Sequence, residues 1–229
     1  TDAPLQNVSA LDIAPSGLVL GAVCGTPGIT LLDLDANGIP SGEAQTLDPE
    51  ADSGLEITSL ADIAFSPNGR YLFAICDETN HLVQYRRTPA WAVLELVSAY
   101  DLDFDGDVTP TREPIAIAVS LDSKHLAISG KTSDSVAIYS IDPNADLITL
   151  SAYFSDGIGG VDGLNGGGGL AFSDDGMFLY AVGYYDSAVS LFENDPDDGW
   201  NYIASYIDGE DTLEGMHYPR DVSVSPDGS

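Results

Sequence analysis

Positive charge is scarce in this sequence. Seven Lys and Arg stand against thirty-seven Asp and Glu in 229 residues, a formal net charge of −30. Phosphate contacts are made by Lys and Arg, so a nucleic-acid partner is excluded, and docking on an anionic bilayer is disfavoured for the same reason. No apolar run comes near the roughly 18 residues of a spanning helix, so membrane insertion is not expected. The chain opens on Thr1 without an apolar leader and is read as a mature protein or a piece of one. Its two cysteines, Cys24 and Cys76, are too few for a disulfide scaffold and do not have a zinc spacing. No segment has a helical period, and there is neither a Gly-x-Ser-x-Gly elbow nor a His-x-x-x-His pair. Apolar residues are not lacking: they make up 44% of the chain, which excludes a disordered acidic tail.

These apolar residues recur in an ordered way. Asp62-Ile-Ala-Phe-Ser-Pro-Asn-Gly69, Ala116-Ile-Ala-Val-Ser-Leu-Asp-Ser123 and Gly169-Leu-Ala-Phe-Ser-Asp-Asp-Gly176 are each an alternating strand, a tight turn and the start of a second apolar strand. Leu11-Asp-Ile-Ala-Pro-Ser-Gly17 opens the series, and Asp221-Val-Ser-Val-Ser-Pro-Asp-Gly228 ends it after one strand. The turns fall at 17, 69, 123, 176 and 228, and each unit holds four strand-like runs rich in Val, Ile, Tyr and Phe. Four antiparallel strands repeated every fifty-odd residues predict an all-β fold, a β-propeller of four-stranded blades. The blades are expected at about 10–59, 60–113, 114–168 and 169–219, with 220–229 as the first strand of a further one.

The Ser-Pro-Asn-Gly turn at 66–69 and the Ser-Pro-Asp-Gly turn at 225–228 resemble the lactonase-like (YVTN-type) propeller repeats. Gly160-Val-Asp-Gly-Leu-Asn-Gly166 resembles the inter-blade loop of their bacterial secreted or surface members. The resemblance covers nearly the whole chain. It implies a ring of six to eight blades, of which this chain is a portion, and an extracellular or cell-surface location with the periplasm as the alternative. It does not carry an activity, because the repeat occurs in lactonases, in surface-layer proteins and in proteins of no known activity. Open blade edges would invite self-association.

Cys24 and Cys76 lie seven residues past their turns, where Gly130 and Gly183 stand in the next units. Small residues late in the second strand predict tight packing between blades, and two buried free thiols. The loops from the fourth strand to the next blade, 48–59, 101–113, 155–169 and 208–219, hold 15 of the 37 acids in 52 residues. One face is therefore expected to be strongly negative and to receive a protein or glycan partner.

Within that face, Asp101-Leu-Asp103-Phe-Asp105-Gly106-Asp107 has the spacing of a calcium loop, alternate carboxylates before a glycine that permits the bend. Arg112 stands where an EF-hand has its final ligand, so the expectation is a calcium-stabilised loop with Asp101, Asp103, Asp105 and Asp107 as ligands. Asp33, Asp35 and Asn37 before Gly38 form a weaker candidate, since an Asn-Gly pair is also what a hairpin wants. The turn at 194–199 reads the same way. The glycines at 157–169 lack the Lys and Ser or Thr of a phosphate loop and read as a flexible connection.

His81, His125 and His217 are the only histidines, the last with Glu214 three residues before it. Tyr184, Tyr185, Trp200 and Tyr202 suggest one small aromatic cluster near the fourth blade. The favoured expectation is a secreted or cell-surface module for binding or structure, stabilised by Ca²⁺. The alternative is a metal-assisted lactonase or related hydrolase. It would act on a non-phosphorylated substrate, because Arg112, Lys131 and Arg220 are the only cations available to hold a phosphate.

Overall fold

The structure is a computed structural model that describes residues 8–17, 19–24, 28–88, 93–103, 111–210 and 214–225. The chain divides into two compact units, residues 1–102 and 103–229. Each holds two antiparallel four-stranded sheets in simple meander order.

The first unit contains the sheet β1 (Ala10–Ile13), β2 (Val19–Cys24), β3 (Gly28–Leu34) and β4 (Pro40–Leu47). Its second sheet is β5 (Asp62–Phe65), β6 (Tyr71–Cys76), β7 (His81–Arg87) and β8 (Leu94–Asp101). The second unit contains β9 (Pro114–Val119), β10 (His125–Gly130), β11 (Ser135–Asp142) and β12 (Leu147–Ser155). There too a second sheet follows, β13 (Gly167–Phe172), β14 (Phe178–Gly183), β15 (Ala188–Asp195) and β16 (Gly199–Ile207). The four sheets are the four expected blades.

Side-chain chemistry explains why the turns recur. Ser66 Oγ donates to Asn68 Oδ1 at 2.7 Å, Ser120 Oγ to Asp122 Oδ1 at 2.7 Å, and Ser173 Oγ to Asp175 Oδ1 at 2.6 Å. Each serine oxygen accepts the backbone N–H of the residue five further on. Each Asn or Asp oxygen accepts the N–H two residues after itself. The Ser-x-Asx triplet thus closes the first hairpin of the last three blades from within, whereas the first blade has Ala14 in place of the serine. At the other end of the blade, every third-to-fourth strand pairing carries a bulge, between Leu31 and Leu32, Gln84 and Tyr85, Ile138 and Tyr139, and Leu191 and Phe192. A bulge sharpens the right-handed twist of a blade.

The second strands carry the core. All six residues of β6, Tyr71 to Cys76, are buried. In the first unit Leu72, Ala74, Val83 and Tyr85 pack with Ile29, Leu31 and Ile57. In the second, Ala127, Val136 and Ile138 pack with Leu164, Leu170, Leu179 and Phe192. Cys76 is a buried free thiol, pushed up to about 12 by burial and then by the charge of Asp77. The side chain of Cys24 lies outside the described residues.

Three expectations need correction. A short helix, α1 (Pro49–Ser53), occupies the first inter-blade loop, although no helical period announced it. Five residues are too few to show one. It forms because Asp48 accepts the N–H of Ala51 at 3.0 Å, Pro49 starts the turn, and Gly54 ends it in the left-handed region at φ 72°. The glycine loop at 157–169 is not a flexible connection. Val161 and Leu164 are buried in it, and carboxylates hold its backbone as described below. Residues 220–225 have no assigned strand, yet the Arg220 carbonyl accepts the N–H of Gly169 at 2.9 Å, so this segment runs beside β13.

Candidate functional site

A cleft of about 350 Å³ opens in the second unit. Its floor is backbone. Gly167 and Gly168 begin β13, and a Cβ at Gly167 would stand 2.8 Å from the Gly130 carbonyl oxygen. At Gly168 it would stand 2.7 Å from Val182 and 3.1 Å from the Arg220 carbonyl oxygen. Glycine is needed here for space, and it exposes peptide groups to whatever enters. The walls are Ile115, Lys131, Gly166, Tyr184, Tyr185, Pro219 and Arg220.

The repeat explains why these residues meet. Lys131 and Tyr184 both lie eight residues past their turns, at 123 and 176. Glu113, Gly166 and Tyr218 occupy one further equivalent position, on the approach to an inner strand, and all three have positive φ, at 50°, 71° and 51°. Glycine adopts this conformation freely, and at Gly166 a side chain would also strike the Tyr185 ring. Glu113 and Tyr218 are strained there, and strain of this kind gathers at functional sites.

Two cations reach the cleft. Lys131 Nζ is 2.8 Å from Glu113 Oε1, and the Lys131 N–H also donates to the Glu113 carbonyl at 3.0 Å. The Arg220 guanidinium lies over the Tyr184 ring, 5.2 Å from its centroid. Tyr184 meets Tyr185 edge-on at 5.0 Å and Tyr218 at 5.1 Å. The third expected cation, Arg112, turns to Asp103 at 3.3 Å.

Carboxylates stand behind the glycine loop. Asp134 accepts the N–H of Gly166 at 2.7 Å, Asp186 that of Asn165 at 2.9 Å, and Asp156 that of Leu164 at 3.1 Å. Oxygens of Asp156, Asp162 and Asp186 lie within 4.8 Å of one another, a set that could hold a metal ion. Burial raises the Asp186 carboxyl above its usual range, and the charges of Asp156 and Asp162 add to this. Sequence reading missed both this cluster and the cleft. The equivalence of positions 131 and 184 was the available signal.

The expected site residues fare unevenly. Asp105 and Asp107 lie outside the described residues. Asp101 closes β8, and Asp103 accepts from Arg112. Asp35 closes a hairpin, its Oδ1 accepting the N–H of Asn37 at 2.8 Å and of Ile39 at 2.9 Å, while Asp33 is exposed. Asp195 does the same for Asp197 and Asp198. His217 pairs with Asp208 at 3.1 Å rather than with Glu214. His125 begins β10, whose far end adjoins Lys131, so about 17 Å of strand separates it from the cleft. Its ring contacts Trp200 edge-on at 5.4 Å, and burial lowers its pKa. His81 begins β7 in the first unit, and its Nδ1 is buried without a partner among the described residues. The aromatic residues form two groups, not one. Tyr184 and Tyr185 belong with Tyr218, whereas Trp200 packs on His125 and Phe172, and Tyr202 on Phe192.

Repeated four-stranded antiparallel sheets in meander order are the blades of a β-propeller. The chain belongs to the lactonase, 7-bladed β-propeller family, whose family model matches residues 61–199. Among solved structures, it is similar to the periplasmic gluconolactonase PpgL of Pseudomonas aeruginosa, with a TM-score of 0.70 and 20% identity. That match covers 96% of this chain and 61% of the other. A putative 6-phosphogluconolactonase of Bacteroides fragilis matches with a TM-score of 0.69 and 16% identity, over 95% of this chain and 60% of that one. The chain therefore spans about three-fifths of the length of these two structures. No curated protein matches the sequence. At such identities the structural likeness concerns the fold.

Proposed function

We propose that the cleft between Lys131, Tyr184 and Arg220 is the hydrolytic site of a lactonase acting on a non-phosphorylated lactone. Family membership favours this alternative over the binding or structural module expected first from the sequence. The observation that carries it is the convergence of two cations and open backbone in one cleft of a chain with few cations, with the Glu113 carboxylate 2.8 Å from Lys131 Nζ.

Lactone hydrolysis needs charge stabilisation at the carbonyl oxygen and a base for the attacking water. Arg220 is the donor for the developing oxyanion. Glu113, beside Lys131, is the base. Water adds to the carbonyl carbon as its proton passes to the carboxylate. Collapse of the tetrahedral adduct breaks the bond to the ring oxygen, which takes up that proton and leaves as a hydroxyl. The product is a hydroxy acid.

Charge supports the choice of substrate. Lys131 is offset by Glu113, among the described residues no carboxylate pairs with Arg220, and Asp134 and Asp186 bind the N–H groups of Gly166 and Asn165. A phosphate dianion fits poorly in such a field. Calcium at 101–107 is a separate proposal, resting on carboxylate spacing alone. An exported, periplasmic or surface location belongs to the same reading; among the described residues no helix is long and apolar enough to cross a membrane.

The test is acid release from a panel of aldonolactones with and without a 6-phosphate. The parent is expected to prefer the unphosphorylated lactones, and Arg220→Ala to lose about 100-fold or more in kcat. A parent inactive on the whole panel would sink the hydrolase reading, and preference for the phosphorylated lactone would overturn the substrate class.

A further inference from the structure

We infer that Tyr184 is a positioning residue that holds the Arg220 guanidinium ready for an incoming carbonyl without consuming its charge or its donors. The inference rests on the proposed hydrolytic role of the cleft. In a chain with thirty-seven acids, several cations find carboxylates: Arg112 takes Asp103, Lys124 takes Asp122 and Lys131 takes Glu113. Arg220, like Arg70 over Tyr71, takes an aromatic face, 5.2 Å from the Tyr184 centroid, and it does so in the lining of the cleft. Among the described residues no carboxylate pairs with it.

The difference has a chemical consequence. A carboxylate partner would occupy two N–H groups and cancel the positive field. A ring face attracts the cation through its quadrupole and leaves the N–H edge pointing away from the ring. Tyr184 is itself braced, edge-on by Tyr185 at 5.0 Å and by Tyr218 at 5.1 Å with planes tilted by 32°. Tyr218 is held at φ 51°, and its N–H donates to Ser187 Oγ at 3.2 Å. The Arg220 backbone is tied to β13 through the Gly169 N–H. The guanidinium is thus held through its stem and its face in the lining of the cleft.

The experiment compares Tyr184→Phe, Tyr184→Leu, Arg220→Ala and the Leu–Ala double variant in the full chain, by kinetics on an unphosphorylated aldonolactone and by the NMR Nε–H signal of Arg220. Tyr184→Phe keeps the ring face and is expected to stay within about threefold of the parent. Tyr184→Leu should lose about tenfold in kcat with little change in KM. The double variant should be no worse than Arg220→Ala, because both changes remove one device. The Nε–H signal should be ring-current shifted in the parent and Tyr184→Phe, and should move to its unstructured position in Tyr184→Leu. If Tyr184→Leu does not fold, Tyr184→Met replaces it with the same expectations. Parent-like kcat in Tyr184→Leu beside an inactive Arg220→Ala overturns the positioning role alone. Full activity in Arg220→Ala overturns the site reading instead. An unshifted Nε–H signal in the parent overturns the positioning role whatever the activity.

Discussion

Gly183, at the end of β14, faces the backbone of the glycine loop, and a Cβ there would overlap the Gly163 carbonyl. Backbone cannot swing aside as a side chain can, so Gly183→Ala should cost about 1–3 kcal/mol of stability. A urea titration measures this, and a loss below a few tenths would contradict the packing argument. The same substitution should lower lactone turnover, because the displaced loop carries Gly166 into the cleft. Cys76 shares the Gly183 position in its own blade, and its burial keeps it a thiol at any physiological pH.

Among the elements, the Ser-x-Asx turn has the clearest pH signature. Asp175 lies below its ordinary value of 3.8 because Ser173 Oγ and the Met177 N–H both donate to it. Asp35 is lowered likewise by the N–H groups of Ile39 and Asn37. A depressed carboxylate binds fewer protons in the native state than in the unfolded one. Its stabilisation is therefore complete above the unfolded value of 3.8 and is lost as pH falls through the folded one. Melting temperature should fall as pH drops from 5 towards 2.5, and less steeply in Asp175→Asn. Parallel slopes in parent and variant would rule out this turn as a source of acid sensitivity. The helix α1 shows how an element escapes periodicity: its cap residues, Asp48, Pro49 and Gly54, carry the signal that five residues of pattern cannot.

For the whole molecule, a net charge of −30 means self-repulsion that salt relieves. Melting temperature should rise with NaCl until the Debye length, about 10 Å at 0.1 M, has shrunk to about 3 Å near 1 M. CaCl₂ at matched ionic strength should raise it further if an ion binds at loop 101–107. Equal rises in the two salts would remove calcium and leave screening alone.

The repeat was enough to define four blades, their strands and their turns, because period-two burial and Ser-x-Asx closure are local properties written every 52 to 54 residues. It also marked positions 24, 76, 130 and 183 as small. Loops were read less well. Asp33, Asp35 and Asn37 fit both a cation pattern and a hairpin, and the structure shows how Asp35 closes the hairpin through the N–H groups of Asn37 and Ile39. Composition assigned the glycines at 157–169 to a flexible link, whereas carboxylates from Asp134, Asp156 and Asp186 fasten them in place. The cleft was the least legible feature. Glu113, Lys131, Tyr184 and Arg220 span 108 positions of the chain and share no motif. Their meeting follows from stacking one blade on the next, which brings equivalent positions of successive repeats together. That non-local packing, and not the order of residues, selects Tyr184 over an acid as the partner of Arg220.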